Sequence, residues 1–346
     1  MKNNEIRIAF CGDINPGGVL TYTGGVSDEV VDALGKYDLR VATLESSIGC
    51  GIPFSEKKMV NPDHAYVIYS PDESVSLLKR LRIDAVTLAN NHSCDCGLEG
   101  LYHTMDVLDG KGIRYCGAGR NSFEAAKALI IEIKGKRIGL IGYTYSSKFL
   151  YEPTETDGGL NKIDREKVLT AVKRYKAECD YLFVLMHWGQ EKKYRPEKKD
   201  FLLARDLIKA GASGVMGSHT HTVQPIMKLG RGVVAMSMGN FVFPDRYIDY
   251  PKVTCYPEAA EREKEHPVTN GYPTVQELTY KRIPKHLRIG VVCELILKNG
   301  RVRFKKHYTY MGKDHVVIFE DIPAKLKIKL FTAGMYMKFW GMKSKD

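Results

Sequence analysis

Five short polar motifs, each at the end of an apolar run, carry the residue types that could do chemistry in this chain. In chain order they are CGD at 11–13, LESS at 44–47, LANNH at 88–92, MHWG at 186–189 and GSHTH at 217–221. A short apolar run is typical of a buried strand, so we expect the polar groups to project from the carboxyl edge of one sheet. Side chains gathered at such an edge can form a site.

The motifs contain the side chains that bind transition metals. The candidate ligands are Asp13, Glu45, Asn91, His187, His219 and His221. Their imidazoles, carboxylates and amide carbonyl suit Zn, Mn, Fe or Co better than Ca. In an extended segment His219 and His221 would point the same way, because side chains alternate with a period of two. The sequence therefore predicts a site for a divalent transition metal.

Other polar residues near the motifs are candidates for acid–base chemistry or substrate binding. Glu191 follows MHWG closely, although a surface role in a lysine-rich loop is equally compatible. Lys192 and Arg195 in that loop could hold carboxylates or phosphates, or could simply be solvated. Asn15 lies in a segment that could present backbone N–H groups to an anion. Asn240 follows a buried run and could line the pocket.

The elements that must position these residues alternate along the chain. The apolar runs predict strands at 6–10, 39–44, 84–89, 128–133, 137–143, 181–186, 213–217 and 233–239. Helical spacing predicts helices at 72–81, 97–108, 165–175 and 198–211. This order favours an α/β fold in which a layered β-sheet sandwich is flanked by helices.

The pattern also predicts the domain organisation. Residues 245–287 are polar and contain prolines, which indicates an insertion or lid near the site. Residues 288–310 then predict a hairpin with Asn299 and Gly300 at its turn. We expect one main domain formed by residues 1–244 and 288–316, followed by a basic C-terminal tail at 317–346.

Composition limits the class of protein. With 346 residues, of which 44% are hydrophobic, the chain can bury a substantial core, which excludes a disordered protein. No stretch approaches about 18 uninterrupted apolar residues, and no signal peptide is recognisable, so we expect a cytoplasmic protein. The eight cysteines match neither a disulfide framework nor a zinc ribbon. For Cys94 and Cys96, packing in a loop is favoured over metal binding.

The charge is concentrated at the end of the chain. Residues 281–346 contain 16 basic and 5 acidic side chains, whereas the preceding residues contain 36 of each. Such a block could attract an anionic polymer or anionic lipid, or could be a solvated face. Nucleic acid is disfavoured as a partner because no recognition module is recognisable.

The tail itself allows two interpretations. KLKIKL at 325–330 alternates with a period of two, which predicts an edge strand, and the residues after it predict a short helix. Its lysines and aromatic residues could instead form an anchor that contacts the inner face of the membrane. A packed or frayed terminus is the favoured interpretation.

The motifs together resemble the CapA-type family of capsule and poly-γ-glutamate synthesis proteins. The segments that carry the resemblance are GD at 12–13, LES at 44–46, ANNHSCDCG at 89–97, GAGRN at 117–121, HWGQEKKYRP at 187–196, AGASGVMGSHTHTVQP at 210–225 and SMGNFVF at 237–243. The resemblance covers about residues 5–245 and the hairpin. It implies a metallophosphatase-like, calcineurin-type fold.

The resemblance also implies roles for the site residues. Glu45 would bridge two metals, the first bound also by Asp13 and His221, and the second also by Asn91, His187 and His219. His92 would act as general acid or by electrostatic stabilisation. Asp95 could fix the tautomer of a nearby histidine.

Two departures from typical metallophosphoesterases affect the first metal site. Asn15 stands where an Asp-x-His pair would place histidine, and Glu45 replaces the usual aspartate. Because an amide is a weaker ligand than imidazole, we expect a first site that is weak, empty or completed by substrate.

By resemblance, the function is that of a metal-dependent hydrolase in the biosynthesis or processing of an anionic capsule polymer. That polymer would be poly-γ-glutamate or a polysaccharide, and other capsule-synthesis proteins are candidate partners. Two alternatives stay open: a phosphoesterase acting on a phosphate-bearing substrate through paired metals, and a non-catalytic subunit that binds polymer.

Overall fold

The computed structural model describes residues 5–18, 20, 25–49, 52, 55–59, 67–249, 253–255 and 279–342. Its strands are β1 Ile6–Ile14, β2 Leu39–Leu44, β3 Ser47–Ile48, β4 Tyr69–Ser70, β5 Ala85–Thr87, β6 Arg114–Cys116, β7 Ala118–Gly119, β8 Leu129–Ile133, β9 Lys136–Thr144, β10 Gly159–Leu160, β11 Tyr181–His187, β12 Gly214–Ser218, β13 Ile226–Leu229, β14 Gly232–Ala235, β15 Asn240–Val242, β16 Arg246–Asp249, β17 Val253–Cys255, β18 Thr279–Lys281, β19 Ile289–Lys298, β20 Arg301–Met311 and β21 Val317–Phe319. Its α-helices are α1 Asp28–Leu34, α2 Glu56–Met59, α3 Val75–Arg80, α4 Gly97–Gly110, α5 Ser122–Ala126, α6 Arg165–Glu178, α7 Lys198–Ala210 and α8 Ala324–Met342.

Two β-sheets pack face to face at the centre of the protein. The first has the order β21-β20-β19-β1-β2-β5-β6, and β15 also pairs with β1. The second has the order β13-β14-β12-β11-β9-β8. Strands β1, β2, β5 and β6 are parallel, as are β9, β11, β12 and β14. The rings of Phe10 and Phe183, 5.0 Å apart, join the sheets within a shared apolar core.

Helices cover the outer faces of both sheets. Val30, Leu78 and Leu101 from α1, α3 and α4 are buried in the core outside the first sheet. Val172 and Leu207 from α6 and α7 are buried in the core outside the second. The four layers confirm the predicted α/β sandwich with flanking helices.

The hairpin predicted near residue 300 is confirmed. Strands β19 and β20 pair between Ile289 and Tyr310, and the turn residues Asn299 and Gly300 have φ angles of 51° and 71°. Positive φ at both positions is what a two-residue hairpin turn requires, and Asn-Gly adopts it readily.

The predicted insertion begins at a buried charged residue. Asp245 accepts hydrogen bonds from the Ile283 amide at 2.6 Å, from Tyr280 Oη at 3.0 Å and from His315 Nε2 at 3.1 Å, and it pairs with Arg288. Strands β16, β17 and β18 then form a small antiparallel sheet. Residues 250–252 and 256–278 lie outside the described residues, so a lid over the site stays a prediction.

The tail differs from its predicted structure. The edge strand expected at 325–330 is wrong, because residues 324–342 form the single helix α8. Leu326, Ala333, Met337 and Trp340 recur at helical spacing and are all buried. Burial of this face outweighs the local alternation of lysines. In addition, β21 pairs with β20, so the first sheet extends past the expected domain boundary at 316.

Among the described residues, no helix is both long and apolar enough to cross a membrane.

Candidate metal centre

The six candidate ligands lie together at the ends of strands from both sheets. Asp13 in β1, Glu45 after β2 and Asn91 after β5 come from the first sheet, whereas His187 at the end of β11 and His219 and His221 after β12 come from the second. The expectation of a single sheet edge is therefore wrong. The parallel strands of the two stacked sheets present their carboxyl ends on the same side, which brings the motifs together.

Close backbone packing positions the first carboxylate. The amide of Asp13 donates to the Gly239 carbonyl at 3.0 Å. A Cβ atom at Gly12 would overlap that carbonyl, so the chain needs glycine there. Gly239 has a φ of 67°, a conformation that glycine adopts without strain. Together the two glycines let β1 and the segment before β15 approach closely, which fixes the position of Asp13.

Glu45 lies between two groups of potential ligands. Its Oε1 atom is 3.6 Å from His187 Nε2 and 3.7 Å from His221 Nε2. The groups are Glu45 with His187 and His219, and Glu45 with Asp13 and His221, and within each group the ligand atoms lie within 4.8 Å of one another. Asn91 Oδ1 lies 2.7 Å from His187 Nε2, beside the first of these groups.

The HTH segment does not have the extended backbone expected of it. His219 and His221 have φ angles of 90° and 54°, and β12 ends before them at Ser218. Their ring centroids are 6.4 Å apart, and each ring belongs to a different group of ligands. The extended conformation that would align the two rings by strand alternation is therefore absent, although both rings belong to ligand groups that contain Glu45.

Hydrogen bonds set the orientation of two of the imidazole rings. Asn240 Oδ1 lies 2.8 Å from His221 Nδ1, and Ser218 Oγ lies 2.9 Å from His187 Nδ1. Both rings consequently direct Nε2 towards Glu45. Asn240 thus orients a candidate ligand, and its expected contact with substrate stays a prediction. Ser218 orients His187 in the same way, although the sequence did not single it out.

The protonation states suit metal binding. Burial lowers the pKa of His219 to about 3, with further lowering by His221 and His92, and burial lowers the pKa of His187 well below its usual value. Neutral imidazole is the form that ligates a metal. Burial raises the pKa of Asp13 to about 7, although hydrogen bonds from the His219 amide and Ser218 oppose this.

Two buried polar atoms in the cluster indicate that it accommodates a cation. Asp13 Oδ1 and His219 Nδ1 have no hydrogen-bond partner among the residues that the structure describes. Buried polar atoms are ordinarily satisfied, and a divalent ion would satisfy these. The mixed nitrogen and oxygen donors fit a transition metal, whose identity they leave open among Mn, Zn and Fe.

His92 belongs to a buried charged network beside the ligands. Its Nδ1 atom lies 2.7 Å from Asp95 Oδ2, which also accepts from the Ile68 amide at 2.6 Å. Lys58, itself buried, forms an ion pair with Asp95. The structure thus places Asp95 against His92, as the sequence suggested. Lys58 was missed, because it lies 37 residues before Asp95 in a segment without a polar motif.

Tyr145 is a second residue that sequence reasoning missed. Its ring centroid lies 4.5 Å from that of His219, and its ring stacks on His187 at 6.5 Å. Burial raises its pKa above the usual value, and Glu191 contributes to this. Tyr145 follows β9 at the same edge of the second sheet, so the strand-end rule that found the histidines could also have found Tyr145.

The residues of the lysine-rich loop are placed differently from one another. Glu191 is exposed, and its carboxylate lies 3.9 Å from Lys192 Nζ. The Lys192 amide donates to Thr220 O at 2.7 Å, which ties the loop to the segment that contains the metal-ligand candidates. Arg195 lies 4.0 Å over the Tyr336 ring of α8, and its expected contact with substrate stays a prediction.

Asn15 and the cysteine pair have packing roles in the structure. Asn15 Oδ1 accepts from the Gly17 amide at 3.1 Å and from Ser70 Oγ at 3.2 Å. The Asn15 side chain therefore organises its own loop. Cys94 and Cys96 are buried, and neither belongs to a potential ligand group among the described residues.

The stacked sheets and the histidine–carboxylate cluster at their edges define an α/β sandwich protein with a candidate metal centre. Residues 7–245 match the model of a family described as Bacterial capsule synthesis protein PGA_cap. The chain belongs to this family, which confirms the recognised CapA-type resemblance.

Two curated relatives each match about half of the chain. PGA biosynthesis protein CapA of Bacillus subtilis (strain 168) is 29% identical over 189 residues, which are 54% of this chain and 50% of that protein. Capsule biosynthesis protein CapA of Bacillus anthracis is 26% identical over 192 residues, 54% of this chain and 47% of that protein. The chain thus spans about half the length of these relatives.

Solved structures resemble the fold at low sequence identity. A hypothetical protein from Thermus thermophilus is 16% identical, with a TM-score of 0.50, over 91% of this chain and 100% of that one. A 5'-nucleotidase precursor from the same organism has a TM-score of 0.46 and 14% identity, over 96% of this chain and 59% of that one. The first of these likenesses concerns the fold alone.

Proposed function

We propose that this protein is a cytoplasmic metal-dependent hydrolase that acts in the synthesis or processing of an anionic capsule polymer. The observation that carries the proposal is the position of Glu45 between two buried ligand groups. The names of the relatives, PGA biosynthesis protein CapA and Capsule biosynthesis protein CapA, suggest the polymer class, poly-γ-glutamate or a capsule polysaccharide. Other capsule-synthesis proteins are proposed partners.

The residues of the cluster would have two roles, metal binding and proton transfer. Asp13, Glu45, His187, His219 and His221 would hold one or two divalent ions, with Asn91 beside them. A bound metal would supply Lewis-acid stabilisation of an anionic oxygen and would activate water. Every remaining task falls to side chains of the protein.

His92 is the proposed proton donor to the leaving group. Asp95 occupies its Nδ1 atom, so proton exchange with substrate would fall to Nε2. Lys58 compensates the buried charge of Asp95. Tyr145 and Glu191, at the less buried side of the cluster, are proposed to contact the substrate.

The proposal is tested by loading the protein separately with Mn, Zn and Fe and assaying cleavage of poly-γ-glutamate and of capsule polysaccharide. We expect metal-dependent cleavage of one polymer. His187→Ala should abolish it, and His92→Asn should lower kcat by roughly 100-fold or more while bound metal is retained. His103→Ala, which removes a partly exposed histidine paired with Asp72, is the matched control and should change neither.

A phosphoesterase is the second candidate function. Two ligand groups that share one carboxylate could clamp a phosphoester between paired metals. Rapid metal-dependent hydrolysis of an aryl phosphate, without cleavage of either polymer, would favour this function. Metal-loaded protein that binds polymer and cleaves none of these substrates would contradict both hydrolase proposals and favour a binding subunit.

A further inference from the structure

Helix α8 has two apolar faces, of which only one is used within the fold. Leu326, Ala333, Met337 and Trp340 form the buried face. Ile328, Phe331 and Met335 are 65%, 70% and 57% exposed. Side chains two positions apart on a helix are separated by about 200°, so this second stripe lies opposite the buried one. The helix therefore presents large apolar side chains directly to solvent.

Lysines flank the exposed stripe on both sides. By helical spacing, Lys325 lies along one side of it, and Lys327 and Lys338 lie along the other. All three are exposed, and none forms an ion pair within the part of the chain that the structure describes. From residue 322 to residue 345 the sequence contains no Asp or Glu. The surface is thus apolar along its centre and cationic along its edges.

The apolar centre and cationic edges of this surface favour one kind of binding partner over others. A second copy of the same face would bring lysines of like charge together, which opposes self-association. A soluble polyanion would pair with the lysines but would leave Phe331 and its apolar neighbours in water. A bilayer with anionic headgroups accommodates both, because apolar side chains enter the acyl boundary while lysines meet the phosphates.

We propose that the exposed face of α8 is a docking surface for a membrane rich in anionic lipid, with the helix lying in the plane of the interface. The proposal is independent of the metal centre. In the docked state Ile328, Phe331 and Met335 insert into the bilayer, and the three flanking lysines contact the lipid headgroups.

The folded domain holds this helix in place before any membrane contact. Arg195 lies 4.0 Å over the Tyr336 ring and 5.3 Å over the Trp340 ring, and Lys329 lies 4.6 Å over the Tyr194 ring. Little ordering entropy would therefore be lost on docking. The loop beside α8 is the one whose Lys192 amide donates to Thr220 O, so docking would bring the bilayer close to that loop.

The test is co-sedimentation of the full chain with vesicles of phosphatidylcholine alone and of phosphatidylcholine mixed with phosphatidylglycerol. We expect binding to the mixed vesicles, which weakens as salt is raised. The double variant Ile328→Ser and Phe331→Ser should lower the partition coefficient at least tenfold. Each of Lys327→Ala and Lys338→Ala should lower it roughly fivefold.

Matched controls distinguish binding through this surface from non-specific binding by other exposed apolar or basic residues. Phe123 is 71% exposed and lies on α5, so Phe123→Ser should leave vesicle binding unchanged. Lys167→Ala and Lys173→Ala on α6 remove exposed lysines from another helix and should also have little effect. Circular dichroism checks that every variant is folded.

Three outcomes would overturn the proposal. They are absence of binding to the mixed vesicles, equal binding by the Ile328→Ser and Phe331→Ser double variant, and a dimer in light scattering that this double variant dissociates. Binding of soluble poly-glutamate that requires the lysines but not Phe331, without vesicle binding, would assign the surface to polymer instead.

Discussion

The side-chain oxygen Oδ1 of Asn240 lies 2.8 Å from His221 Nδ1, and the side-chain nitrogen Nδ2 of Asn240 donates to the Leu287 carbonyl at 2.8 Å. Asn240 begins a strand of the first sheet, whereas His221 follows a strand of the second. One sheet thus orients a candidate metal ligand that the other sheet supplies.

Asn240→Ala should therefore weaken metal binding without unfolding the protein. Loss of such an orienting partner typically costs about 10-fold to 100-fold in metal affinity. Competition with a chromophoric chelator measures the effect. Asn121→Ala removes the N-cap of α5 and serves as control: it should cost about 1 kcal/mol of stability and leave metal affinity unchanged. Equal metal affinity in the Asn240→Ala protein and the wild type would refute the orienting role.

Metal stoichiometry should distinguish the two ligand groups. We expect His219→Ala to deplete one group and His221→Ala to deplete the other, whereas Glu45→Ala should lose both ions because Glu45 belongs to each. Elemental mass spectrometry of purified protein gives the number of ions per chain. If Glu45→Ala retains the same metal content as the wild type, the shared-ligand arrangement is wrong.

The close packing of β1 at Gly12 predicts that one added methyl group at this position strongly lowers the free energy of unfolding. Gly12→Ala should destabilise the protein by about 3 kcal/mol or more, because the new Cβ meets the Gly239 carbonyl rather than a flexible side chain. Gly110→Ala is the control, since no atom lies within 4 Å of its added Cβ, and its stability should be unchanged or slightly raised. Urea unfolding of both variants measures the difference, and similar values would contradict the packing argument.

The buried Asp245 predicts a pH dependence of stability. Burial raises the pKa of its carboxyl, but hydrogen bonds from Arg288, the Ile283 amide, His315 and Tyr280 outweigh burial, so the pKa lies below its usual value. A depressed folded pKa stabilises the protein above the unfolded pKa of about 3.9, and this contribution is lost as pH falls through the folded value.

Asp245→Asn should accordingly lower the free energy of unfolding by roughly 3 kcal/mol at neutral pH, since it leaves Arg288 without its carboxylate. The difference from wild type should shrink below about pH 4. Asp321→Asn, at an exposed carboxylate, should show no such difference. If the difference in free energy of unfolding between Asp245→Asn and the wild type stays constant down to about pH 3, ionisation of Asp245 does not stabilise the fold.

The strand-end motifs made much of the site predictable, because polar residues at the end of a buried strand must emerge at a sheet edge. Asp13, Glu45 and His187 were found in this way. Lys58 could not be found, because its pairing with Asp95 is a tertiary contact with no local pattern. Tyr145 directly follows β9 and was within reach of the same rule, but tyrosine is not among the metal-ligand residue types that drew attention to the other strand ends.

Errors arose where local periodicity competed with tertiary packing. The alternating lysines at 325–330 indicated a strand, but Leu326 and Met337 need helical spacing to reach the core. The contact of Arg195 with the Tyr336 and Trp340 rings could not be predicted either, because those residues lie more than a hundred positions later in the chain. Only the folded chain brings these residues together.

The division of the ligand set between two sheets also has a consequence for folding. Neither sheet alone contains both Glu45 and the histidines, so a chain with only one sheet formed cannot bind the ion with native affinity. A metal ion would act as a clasp across the central apolar core, and by linkage its binding free energy would add to the cohesion of the two sheets. Removal of the metal would then lower the stability of the whole sandwich and also abolish the chemistry of the site at the sheet edges.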